Sequence, residues 1–117
     1  MGDNMNYKDK YLFYCSKLND CMTKEEVKVH NAAMKELAKL YKDVKDIDNK
    51  DFLFDLLNDT NPRTRCLVAA HCLGLGVFIK KAKFVLYKIS LSNKNQMVAL
   101  EAKMTLKVYK EQGYLNF

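Results

Sequence analysis

Along this chain the apolar positions recur three and four residues apart, the period of a helix, and nowhere do they alternate in twos for long enough to build a strand. Leu, Lys, Ala, Met and Glu, which lose little side-chain freedom in a helix, dominate, and a single proline and four glycines leave few interruptions. The pattern predicts an all-α fold. Start and stop residues divide it into six segments, about 5–21, 23–46, 50–58, 62–75, 78–91 and 94–112, whose short connections make consecutive helices antiparallel.

Thr23-Lys24-Glu25-Glu26 reads as a capping box, with Thr23 accepting from the third helical N–H while Glu26 reaches back. Asn49 precedes an acidic first turn containing Asp51. Asn61-Pro62 sets a capping amide before a proline whose missing N–H is harmless at the first helical position. Asn93 with Gln96 repeats the box, and Gly76 and Gly113 stand where C-terminal caps are wanted. Val27, Met34, Leu37, Tyr41 and Val44 are expected on one buried face of the second segment, and Cys66, Ala69, Ala70 and Leu73 on one face of the fourth.

An internal repeat follows from the same positions. Leu53, Leu56, Cys66, Leu67, Ala69 and Leu73 are matched 33 residues later by Leu86, Ile89, Ala99, Leu100, Ala102 and Leu106, and Phe54 by Tyr87. A weaker copy lies upstream, where Val29, Ala33 and Leu37 correspond to Arg65, Ala69 and Leu73. A period in the thirties with two helices per unit is the mark of an α-solenoid, whose hairpins bury their faces only by stacking.

The run Leu56-Leu57-Asn58-Asp59-Thr60-Asn61-Pro62-Arg63-Thr64-Arg65-Cys66-Leu67-Val68-Ala69-Ala70-His71-Cys72-Leu73 resembles a HEAT-like repeat. It has paired leucines, an Asp before the turn, Asn-Pro opening the second helix, an Arg one turn in, and a small-residue pair followed by Leu. The resemblance implies a structural signature at Asp59, Pro62, Arg65, Ala69 and Leu73, with Asp59 and Arg65 forming a ladder between turns. The next unit departs from it, carrying Ser92 and Val98 at those two places. The fold implied is a HEAT-like α-solenoid of three antiparallel hairpins, one domain over residues 1–117. The tetratricopeptide pattern asks for a Trp, which the chain lacks. Residues 100–106 and 109–117 are further similar to the end of small bacterial HEAT-like proteins, some families of which resemble immunity proteins that neutralise a cognate toxin.

Charge sharpens the picture. Residues 1–77 hold twelve Lys/Arg against twelve Asp/Glu, whereas residues 78–117 hold eight Lys against Glu101 and Glu111, so the whole net charge of +6 lies in the last third. Lys103, Lys107 and Lys110 recur at helical spacing, and Lys80, Lys81, Lys83 and Lys88 precede them beside Tyr87. Like charges crowded on one helix cost stability unless something neutralises them.

Catalytic chemistry finds no support. There is no phosphate-cradling Gly-rich loop, no nucleophile elbow and no paired-carboxylate motif, so an enzyme is not expected. Cys15, Cys21, Cys66 and Cys72 are spaced too widely for zinc or redox motifs and are expected buried and reduced, and His30 and His71 make no metal pair. Neither a metal nor a cofactor is implied. The most apolar stretch, Cys66 to Ile79, is interrupted by His71 and two glycines and followed by Lys80, so no membrane span is expected. The first residues lack a signal-peptide core, and Asn6 stands where myristoylation needs Ser or Thr, which makes the cytoplasm the expected compartment.

The sequence thus leads us to expect a non-catalytic protein-binding module whose partner has an acidic surface, a toxin domain on the resemblance. Its surface is expected on the outward faces of the fourth and sixth helices, with Lys81, Lys88, Lys103, Lys107 and Lys110 steering and Tyr87, Tyr109 or Tyr114 anchoring. Nonspecific nucleic-acid binding through the lysines is the alternative, poorly served by only two arginines.

Overall fold

Asn6 opens the first helix by accepting a hydrogen bond from the Asp9 N–H at 2.8 Å, and from there the chain is helical almost throughout. A computed structural model describes residues 6–92, 94–115 and 117, and among them it contains six helices and no strand. They are α1 (Tyr7–Cys15), α2 (Lys24–Lys45), α3 (Asp51–Leu56), α4 (Pro62–Leu75), α5 (Ile79–Ser90) and α6 (Gln96–Gln112). They gather into two units, Met1–Phe52 and Leu53–Phe117, with the division falling inside α3.

In the first unit α1 packs on α2. The sequence predicts a helix to residue 21, but α1 stops at Cys15 because the following segment is claimed by a side chain. Asn19 donates from its amide to the carbonyls of Lys17 (3.1 Å) and Glu26 (3.0 Å), its Oδ1 accepts from the Cys21 N–H (2.7 Å), and its own N–H donates to His30 Nδ1 (3.2 Å). Such local side-chain bonds compete with the helix ladder and win here. Cys21 consequently takes a positive φ of 57° and is exposed, which corrects the expectation that all four cysteines are buried; Cys15, Cys66 and Cys72 are. In α2 the buried face is Ala33, Leu37, Leu40, Tyr41 and Val44. Val27 and Met34, expected in it, are exposed. At about 1.5 Å per residue α1 is roughly 14 Å long and α2 roughly 33 Å, so α1 can cover less than half of its partner.

In the second unit α4, α5 and α6 pack against one another, each touching the other two. Thr64 and every residue from Cys66 to Leu73 are buried, so α4 has no solvent-facing stripe of any width. Caps isolate it. Asn61 Oδ1 accepts from the Arg63 N–H at 2.9 Å, Pro62 opens the helix, and Gly76 closes it in the left-handed region at φ 75°. Gly113 closes α6 in the same way at φ 80°. The cap of α6 is Asn95, whose Oδ1 accepts from the Val98 N–H at 3.2 Å; Asn93, the residue expected there, lies outside the described residues.

Most positions paired by the 33-residue offset share an environment. Leu53 and Leu86, Leu56 and Ile89, Cys66 and Ala99, and Ala69 and Ala102 are all buried, while Phe54 and Tyr87 are both exposed. Leu67 and Leu100 break the correspondence: Leu67 is buried and Leu100 is 54% exposed. Leu106 is only half-buried where Leu73 is fully so.

Candidate functional site

Because α4 is enclosed, it presents no outward face to join an interaction surface, which corrects the expectation that it does; α5 does present an exposed face. Four buried residues, Ala82, Val85, Leu86 and Ile89, define the inner face of α5. The opposite face therefore carries Lys80, Phe84, Tyr87 and Leu91 at spacings of four, three and four, all exposed. Phe84 is 58% exposed and Tyr87 55%, the two most exposed aromatic rings on the described helices. Lysines flank the stripe. Lys88 Nζ lies 5.9 Å from the Phe84 ring centroid, and Lys83 Nζ lies 5.4 Å from that of Tyr109 on α6, a cation–π contact that joins the two helices.

On α6 the inner residues are Val98, Ala99 and Ala102, and the outer ones include Met97, Leu100 and Met104 together with Lys103, Lys107 and Lys110. All three lysines are exposed, and none takes part in an ion pair among the described residues. Tyr114, just past the Gly113 cap, is also exposed. Lys81 differs from the rest: it is half-buried, with its Nζ 5.8 Å from the centroid of Phe54, so its ammonium is turned toward an aromatic ring of its own unit. The sequence reading misses Phe84, Leu91, Met97 and Met104 and names Leu100 only as the repeat counterpart of Leu67. Their helical spacing is what core residues also show; only the packing of α5 and α6 tells which side faces out.

The repeat-signature residues lie elsewhere. Asp59 Oδ2 accepts from the Asn61 N–H at 3.0 Å, fixing the turn before α4, and Ala69 and Leu73 are buried in the three-helix core. Among the described residues Asp59 and Arg65 form no ion pair. Arg65 is half-buried, and its Nε is buried without a hydrogen-bond partner. It lines a cavity of about 320 Å³ that also takes in Thr60, Lys88, Ser92, Lys94 and Asn95.

Titratable groups in the core are held neutral. Burial pulls the His71 imidazole down to about 3 and pushes the Cys72 thiol up to about 12, so neither ionises near neutral pH. The His71 ring meets that of Phe117 at 4.7 Å, an edge contact. Among the described residues no three His, Cys, Asp or Glu side chains gather where they could hold a metal ion, and no helix is long and apolar enough to cross a membrane. No family model, curated protein or solved structure matches the chain.

Proposed function

We propose that the chain is a non-catalytic protein-binding module, built as a HEAT-like stack of helical hairpins, that engages an acidic protein surface through the outer faces of α5 and α6. The observation that carries this reading is the stripe Phe84, Tyr87 and Leu91, exposed on a well-packed helix and flanked by Lys80, Lys83 and Lys88. Aromatic anchors inside a polar rim are the arrangement from which interfaces draw most of their affinity, while the rim charges set approach rate and orientation. Sequence charge agrees: residues 53–117 account for all of the net +6, and residues 1–52 balance to zero. The partner is therefore a protein with an apolar patch rimmed by carboxylates, and the immunity-protein resemblance makes a toxin domain the first one to try. The shared burial of Leu53 with Leu86 and of Ala69 with Ala102 supports the stacked-hairpin reading.

The test is affinity capture with the wild type, Phe84→Ala/Tyr87→Ala and Lys103→Glu/Lys107→Glu, each with and without nuclease. A stoichiometric protein retained by the wild type after nuclease treatment, and lost from both variants, supports the reading. Capture of nucleic acid alone, released as salt rises, would replace it with phosphate-backbone binding.

A further inference from the structure

The cavity beside Arg65 shares Lys88 with the lysines that flank the aromatic stripe, but the rest of its lining is separate and has a chemistry of its own. Three cationic side chains, Arg65, Lys88 and Lys94, line it, and no carboxylate does so among the described residues. None of the three has an ion-pair partner among those residues. Arg65 Nε is in addition removed from solvent with no acceptor, so the hydrogen-bonding capacity of this guanidinium is unmet within the described chain. Neutral donors and the apolar Pro62, Ile89 and Val98 complete the lining. Ser92 Oγ accepts from the Lys94 N–H at 3.3 Å and Asn95 Oδ1 from the Val98 N–H at 3.2 Å, which leaves the Ser92 hydroxyl proton and the Asn95 amide protons to be donated. Thr60 adds a third donor group on the rim.

Ser92 occupies the place that Asp59 holds 33 residues earlier, and it lines the same cavity as Arg65. A carboxylate at that place would supply the counter-charge from within the chain.

We infer that this cavity binds a small phosphate-class dianion, free phosphate or a compact phosphomonoester, with Arg65 contributing its planar fork and Lys88 and Lys94 the remaining charge. Guanidinium geometry matches two oxygens of a phosphate at once, and flexible ammonium groups close around the others. At about 320 Å³ the cavity lies at the small end of the roughly 300–1,000 Å³ typical of small-molecule sites, so it accommodates a phosphate and a small attached body, not a dinucleotide.

The direct probe is the Arg65 Nε–H resonance in a nitrogen–proton correlation spectrum, followed during titration with inorganic phosphate and, separately, with ribose 5-phosphate. Ionic strength is held constant with chloride. We expect a saturating shift of that resonance with phosphate and none with chloride; the tighter of the two ligands identifies whether the free ion or the ester is preferred. Lys94→Gln, on an exposed side chain outside the lysines that flank the stripe, should weaken binding about tenfold, and Ser92→Asp should abolish it while raising the melting temperature. An unmoved Arg65 resonance, a shift shared equally with chloride, or unchanged binding by both variants would overturn the inference. Lys94→Gln and Ser92→Asp leave the α5 stripe and its flanking lysines unchanged, so failure here is separate from failure of the proposed function.

Discussion

The ring of Phe78 meets the ring of Phe54 edge-on at 5.4 Å, and this contact holds the turn between α4 and α5 in a conformation its backbone resists. Phe78 has φ 50°, the left-handed region that costs a residue with a Cβ about 1–2 kcal/mol, and it caps α5 with no side-chain hydrogen bond. Lys81 lies over the same Phe54 ring, 5.8 Å from its centroid, so α3 and the start of α5 are tied by one aromatic group.

A double-mutant cycle on Phe54→Ala and Phe78→Ala should therefore show a coupling of about 1 kcal/mol in urea denaturation, in the range found for edge-on aromatic pairs. Additive losses would mean that something else holds the turn.

Ala69 is completely enclosed at the centre of α4. Ala69→Asp places an unpaired carboxylate there and should destabilise the protein by more than about 3 kcal/mol, enough to unfold a small domain at 37 °C. Circular dichroism of the purified variant decides it; a native spectrum with a cooperative melt would refute the assigned core.

Acid should act through His71. Its folded value of about 3 lies below the ordinary 6.5, so below that ordinary value the unfolded chain binds a proton that the folded one does not. The contribution is whole above about pH 6.5 and declines toward pH 3 by about 1.4 kcal/mol per pH unit. His71→Leu removes this slope: the difference in stability between variant and wild type should tilt in the variant's favour as pH falls from 7 to 4. A pH-independent difference would show that His71 does not contribute.

Gly76 closes α4 at φ 75°, and a Cβ built there meets nothing within 4 Å. Gly76→Ala should cost about 1–2 kcal/mol from backbone conformation alone, read as a lower urea midpoint with an unchanged slope. No loss would mean that the cap relaxes out of the left-handed region.

On α6 the exposed Lys103 and Lys107 have no partner charge to lose. Lys103→Glu/Lys107→Glu should leave stability within about 0.5 kcal/mol of the wild type while slowing association with an acidic partner in a salt-dependent way. A large drop in melting temperature would assign these side chains to the fold instead.

Much of the architecture is legible in local chemistry. Thr23 accepts from the Glu26 N–H at 3.1 Å and Glu26 reaches back, though to the Met22 N–H at 2.9 Å and not to Thr23 itself. Asn49, Asn61, Gly76 and Gly113 likewise perform the roles their positions suggest, because capping depends on residues within a turn of one another. What local pattern could not show depends on distant partners. The early end of α1 is set by Asn19 donating to His30, eleven residues away. The site was half legible: charge marks the lysines of α5 and α6, but Phe84, Leu100 and Met104 have the spacing of core residues, and only three-helix packing turns them outward. Arg65 and Ser92, 27 residues apart, line one cavity for the same reason.

The enclosure of α4 also bears on how the chain is made. A helix buried from Cys66 to Leu73 in the finished fold emerges from the ribosome before either of its covers exists, and the second of them, α6, is complete only when Gln112 has been added. At roughly 5–20 residues per second that interval lasts seconds, during which Leu67, Val68 and Leu73 are open to any other apolar surface. Nascent chains halted before α6 should therefore be the species that chaperones hold and that aggregates collect, making synthesis the stage at which this small protein is most vulnerable.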